Sequence, residues 1–182
     1  MLPFFFYTAF VGMFISLFTT ALLVHKGRHI QNTRTLSEIA ASDNAKLLFF
    51  RLGILLSASL FTATVIQFIT PRVKFGELQA LAYLANFTSV VLLTLVPARG
   101  AQAKTIHTFF AYSMAASMLI SGVLFSVNTT GVYRTMEIAV STLLVLSGLL
   151  TALDHKRFVW HELAFIHLSH TTVLVAALAL TP

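Results

Sequence analysis

Seven histidines stand out in a chain that carries little charge. His25 and His29 follow the first apolar stretch. His107 opens the fourth, His155 and His161 flank the entry to the sixth, and His167 and His170 lie inside it. Imidazole titrates near neutral pH and ligates metals through either ring nitrogen. Proton transfer, zinc ligation and axial ligation of haem are therefore the chemistries to weigh. The densest run is His161-Glu162-Leu163-Ala164-Phe165-Ile166-His167-Leu168-Ser169-His170. It is not HExxH, because its second histidine comes six residues after the first rather than four. At about 100° per residue, His161 lies about 120° from His167, so the geometry of the zincin helix fails. His167 and His170 share a helix face and would hold zinc with a third ligand. The nearest candidate, His107, sits about a dozen ångströms shallower. Haem held by two histidines needs them facing each other from different helices at one depth, and only the sixth stretch has deep ones. No cofactor is expected, with haem and zinc the minor alternatives. Hydrogen bonding between helices is the leading role for these rings, and proton-coupled movement of a solute is the main functional one.

The elements that position them follow from composition. Of 182 residues, 57% are apolar and 10% charged, where a soluble domain has about 25% charged. A soluble domain and a disordered chain are both excluded. The chain has no cysteine, which removes disulfides, thiol catalysis, CxxC zinc sites and iron–sulfur clusters. A helix needs roughly 20 mostly apolar residues to cross the bilayer core. The sequence divides into six such spans, at 2–24, 47–70, 78–96, 105–127, 135–153 and 159–180. The fold class expected is all-α, a single six-transmembrane-helix bundle over 1–182. Pro71 and Pro97 end spans two and three. Asn128-Thr129-Thr130-Gly131 is a turn signal, and Asp154-His155-Lys156-Arg157 is too charged to bury in lipid. Span one lacks a basic start and a small-residue cleavage site, so it reads as a permanent span rather than a signal peptide.

Lysine and arginine set the orientation. Eight of them lie in the first, third and fifth loops (Lys26, Arg28, Arg34, Lys46, Arg99, Lys104, Lys156, Arg157), and three in the second and fourth (Arg72, Lys74, Arg134). The odd-numbered loops are expected to be cytoplasmic and both termini outside, in a plasma, inner or organellar membrane. The formal net charge of +6 belongs to this bias and to attraction by anionic headgroups, not to nucleic acid.

Sorting the polar residues by depth gives two expected layers. At about 1.5 Å per residue, His167 lies roughly 12 Å and His170 roughly 16 Å into span six. Thr171 shares their face. Asn86, Ser113, Ser117, Ser57 and Ser59 fall at similar depths, and polar groups in lipid tend to face the bundle interior. These form the candidate midplane layer. Nearer the cytoplasm lie Arg51, His107, His161 and Glu162; Arg51 and Glu162 are the obvious ion pair, with snorkelling of Arg51 to the headgroups the equal alternative. Residues 25–46 form the one long loop. Thr35-Leu36-Ser37-Glu38 fits a capping box there, with Leu36, Ile39 and Ala40 on one face, so a short interfacial helix is expected. It is the natural docking surface for a cytoplasmic partner. Small residues at helical spacing mark close packing: Ser113, Ser117 and Ser121, and Ala111 and Ala115, in span four; Gly53 and Ser57 in span two; Ser147 and Gly148 in span five. They make span four central. Asn128-Thr129-Thr130 is a glycosylation sequon in an external loop. Glycine-rich phosphate loops, paired carboxylates within one span and a mid-span lysine are absent from the sequence.

The six-span length, the segment Lys104-Thr105-Ile106-His107-Thr108-Phe109-Phe110-Ala111 and the Trp160/Glu162 entry to span six resemble the DRAM-, FRAG- and Sfk-type membrane proteins and their prokaryotic relatives. Tryptophan precedes glutamate here, the reverse of the order usual in that group. The resemblance implies a six-helix protein without established catalysis, associated with lipid organisation and membrane trafficking, and it carries over no site residues. The function expected is therefore that of a non-catalytic membrane protein, lipid-associated or an accessory subunit of a larger complex. A small proton-coupled transporter or channel using the midplane layer is the alternative, and a haem- or metal-binding subunit the third. Membrane lipids, other membrane subunits or further copies of the chain are the expected partners.

Overall fold

Backbone amides have no water to bond inside a bilayer, so a spanning segment must satisfy them within a helix. The computed structural model follows that rule, and it describes residues 4–26, 35–96, 101–153 and 158–181. In chain order the helices are α1 (Phe4–Lys26), α2 (Leu36–Ala40), α3 (Asn44–Thr64), α4 (Gly76–Leu95), α5 (Ala101–Asn128), α6 (Gly131–Leu153) and α7 (Phe158–Ala179). Six of them, all but α2, are long and apolar enough to cross a membrane. The chain is an all-helical integral membrane bundle. His29, His155, Pro97 and the 154–157 charge run lie outside the described residues.

Helix ends follow local chemistry. α3 does not stop at Thr64 but widens into a π-helical turn (Val65–Ile69) and tightens into a 3-10 turn (Thr70–Arg72). Pro71 has no N–H to continue the ladder. Arg72 compensates with its side chain: Nη1 donates to the Phe68 carbonyl at 2.7 Å, and its guanidinium stacks over the Phe68 ring at 4.3 Å. The chain then turns through Phe75, which is left-handed at φ 59°. A Cβ on Gly76 would come within 2.1 Å of the Thr70 carbonyl oxygen, so only glycine fits where the two helices meet.

The helices pack most extensively as the pairs α1–α3, α4–α5 and α6–α7. α5 touches α4, α6 and α7, the central place its small residues indicate. Ser57 on α3 donates to the Gly12 carbonyl of α1 at 2.8 Å. One apolar core, including Phe61, Val65, Tyr83, Phe125, Val173 and Ala176, fills the end of the bundle away from α2. At the other end Leu36, Ile39 and Ala40 of α2 are buried against Leu23 of α1 and Val159 of α7. The short helix is thus tucked into the mouth of the bundle rather than lying on lipid.

Candidate functional site: a chamber beneath α2

Four spanning helices turn one stripe each toward a shared space. α4 contributes Tyr83, Asn86, Val90 and Leu93. α5 contributes His107, Ala111, Met114 and Met118. α7 contributes Glu162, Phe165, Ile166, Ser169 and His170. Each set recurs every three or four residues, the spacing of one helix face. α3 adds Arg51, Ile54, Ser57, Ala58 and Phe61, and Ser37 of α2 closes the top. They enclose a cavity of about 110 Å³. Its wall is mostly apolar, with polar groups at the α2 end and at the deep end.

The α2 end is held by a set of directed contacts. Thr35 and Glu38 form a full capping box: the Thr35 hydroxyl accepts from the Glu38 amide at 3.0 Å, and the Glu38 carboxylate accepts from the Thr35 amide at 3.0 Å. Glu162 of α7 accepts from the Leu36 amide at 2.7 Å. This third acceptor satisfies another free N–H of the first turn. Lys104 of α5 pairs with Glu38 at 2.6 Å. His107 lies 2.7 Å from the Val96 carbonyl through Nδ1 and 2.8 Å from the Ser37 hydroxyl through Nε2. A carbonyl only accepts, so Nδ1 carries the proton; in the neutral ring Nε2 then accepts from Ser37. Three side chains from α5 and α7 therefore clamp one five-residue helix.

The expected ion pair between Arg51 and Glu162 does not form. Glu162 is engaged with the α2 backbone instead. Arg51 lines the chamber, its Nε is buried without a partner, and among the described residues it makes no ion pair. His161 is half-buried at the start of α7 and is not part of the chamber wall.

At the deep end, His170 stacks on Phe61, with ring centroids 4.3 Å apart and 12° between planes, and its Nδ1 has no partner. Asn86 donates to the Met114 carbonyl at 3.4 Å. His167 takes another direction: its Nε2 lies 3.3 Å from the Thr20 hydroxyl of α1. The two histidine rings touch edge-on at 5.9 Å, but only His170 lines the chamber. The hydroxyls of Ser113, Ser117 and Thr171 donate to carbonyls of their own helices, those of Phe109, Met114 and His167. The midplane set is thus divided. Asn86 and His170 face the space, Ser117 is buried between helices, and Ser113 and Thr171 are spent locally. Among the described residues no three His, Asp or Glu side chains converge to hold a metal, and the two deep histidines sit on one helix, not facing each other from two. The described residues bring together neither a facing histidine pair for haem nor a zinc ligand set.

Sequence reasoning missed a second polar group in the far half. Glu137 of α6 is fully buried, and no well-directed hydrogen bond reaches either carboxylate oxygen. Gln79 and Tyr83 of α4 are also buried, with both Gln79 amide atoms and the Tyr83 hydroxyl unpartnered. The signal was present: Glu137 stands on one stripe with Ser141, Leu144 and Gly148, so it had to face the bundle. A single carboxylate within a span forms no acid–base motif, which is why Glu137 does not stand out in the sequence. The sequon is equally reshaped by packing. Asn128 donates to the Leu124 carbonyl at 2.7 Å and Thr129 is buried, a poor acceptor for a glycan. Compared with known proteins, the chain matches no family model, no curated protein and no solved structure.

Proposed function

We propose that this is a non-catalytic membrane protein that holds a lipid-like amphiphile in the chamber beneath α2, acting alone or as an accessory subunit of a larger membrane complex. The observation that carries the reading is the chamber itself: an apolar-walled space between four spanning helices, polar at both ends and covered by a clamped short helix. Ligand sites have this make-up, mostly apolar walls with a few placed polar groups. The hydroxyl–imidazole pair on its wall, Ser37 and His107, joins α2 to α5, which supports a holding role for it rather than a catalytic one. The likeness to DRAM- and FRAG-type proteins, with their association with lipid organisation, agrees with it. The lysine and arginine bias supports an orientation with α2 on the cytoplasmic side and both termini outside.

Native mass spectrometry after gentle extraction tests the reading. The parent protein should retain a stoichiometric lipid-sized adduct, and Ala111→Phe, which fills the chamber from α5, should lose it. Equal adducts on both, or none on either, would sink the proposal. Asn86 and His170 at the deep end favour a second reading, proton-coupled passage of a small solute. Flux into liposomes driven by a pH gradient and abolished by His170→Ala would establish that one instead.

A further inference from the structure

Within that reading, the chamber's charge selects among amphiphiles. Arg51 is the eighth residue of α3 (Asn44–Thr64), which places it roughly 10 Å along the helix from its start. A cation inside a spanning helix is costly and normally faces a partner or a cavity. Arg51 faces the chamber and has no carboxylate partner among the described residues. The carboxylates at this end of the bundle have other contacts. Glu38 holds Lys104 and the Thr35 amide, and Glu162 holds the Leu36 amide. The neighbouring donors are committed too, since His107 and Ser37 bond each other and Thr94 donates to the Val91 carbonyl. Glu162 also lines the chamber without an ion-pair partner among the described residues, and its charge opposes an anion's; its Oε2 is engaged by the Leu36 amide, and Arg51 is the one lysine or arginine on the chamber wall.

A guanidinium presents a planar fork of donors that matches a carboxylate or a phosphate. Below it the wall is mostly hydrocarbon, with Ile54 and Phe61 of α3, Val90 of α4, Met114 and Met118 of α5 and Phe165 of α7, and Asn86 and His170 mark its deep end. From Arg51 to Phe61 the chamber runs about 15 Å along α3, yet its volume is only about 110 Å³. An engineered cavity of about 150 Å³ takes one benzene. A long, slender space of this size has no room for two chains and holds only the headgroup-proximal part of one.

We propose that the ligand is a single-chain anionic amphiphile, whose carboxylate or phosphate is bound by Arg51 under α2 and whose aliphatic chain runs toward Phe61. The shared chemistry is an anionic oxygen headgroup on one chain, from a free fatty acid or from a lysophospholipid.

The test uses the full chain in nanodiscs of zwitterionic lipid, with labelled oleate, lysophosphatidylglycerol and uncharged monoolein as probes. At least one anion should saturate the protein about tenfold more tightly than monoolein. Oleate alone identifies a carboxylate ligand, and lysophosphatidylglycerol as well extends the site to phosphate. Arg51→Gln should bring binding of the anions down to the level of monoolein, and Arg51→Lys should keep part of the preference, as a charge without the fork. If Arg51→Gln does not fold, the oleate-to-monoolein ratio of the parent and of Arg51→Lys decides. Monoolein binding that matches the anions and is blocked by Ala111→Phe overturns this inference and leaves the chamber reading standing. Binding of no probe overturns both.

Discussion

Single residues decide how closely the helices approach and where charge is tolerated. A Cβ at Gly53 would lie 2.1 Å from the Thr19 hydroxyl oxygen and 2.9 Å from the Thr19 Cβ, whereas one at Gly12 would meet Leu60 and Phe61 at 3.2–3.3 Å. Gly53→Ala should therefore destabilise by about 1–3 kcal/mol through overpacking, and Gly12→Ala by less. Thermal unfolding in one detergent ranks the two, and a reversed order would refute the account. Glu137 gives a second expectation. An uncompensated carboxylate in the interior is costly, so Glu137→Gln, nearly the same shape without the charge, should stay within about 1 kcal/mol of the parent or exceed it. A larger loss would mean that the carboxylate has a partner it needs. Gly53 was legible from the sequence as a small-residue contact. The fate of Glu162 was not: depth along a helix put it near Arg51, but nothing in α7 alone tells that the α2 amides compete for the same carboxylate and win.

At the scale of elements, α2 shows both the reach and the limit of sequence. Its start was legible residue by residue, because Thr35 and Glu38 satisfy each other's backbone groups and those groups are adjacent in the chain. Its apolar face, Leu36, Ile39 and Ala40, was equally legible. Whether that face met lipid or protein was not, since both are apolar and only the positions of Leu23 and Val159 decide. Five residues do not make a helix on their own, so α2 depends on its clamps. Thr35→Ala should cost about 1 kcal/mol of capping, and Glu162→Ala should leave the Leu36 amide without its acceptor. Hydrogen exchange at 36–40 should rise in both variants, with the spanning helices unchanged. Protection equal to the parent's in Glu162→Ala would show that the clamp is dispensable.

For the whole molecule, the spans were readable to within a few residues because lipid punishes every unpaired backbone group, and the sequence must mark each exit with a proline, a turn or a charge. The azimuth of each helix was harder, since serines and threonines bond their own turns as readily as a neighbour. That is why Ser113 and Thr171 left the midplane set while Asn86 and His170 kept their place at the cavity. Orientation is open to direct measurement, helped by a background free of cysteine. Ser42, exposed between α2 and α3, and Lys74, exposed between α3 and α4, lie across a full span from each other. Single cysteines there should react with an impermeant maleimide from opposite sides, Lys74→Cys from outside and Ser42→Cys only after permeabilisation. Labelling of both in intact cells would refute the topology.

The clamp on α2 also has a consequence for biogenesis. Leu36 and Glu162 are 126 residues apart in the chain, and Val159, against which α2 packs, belongs to the same late helix. During synthesis α2 emerges before α5 and α7, so its contacts with Lys104, His107 and Glu162 are complete only once α7 is in place. Seating of α2 thus reports that α7 has reached its place, and an unseated α2 would mark molecules in which it has not.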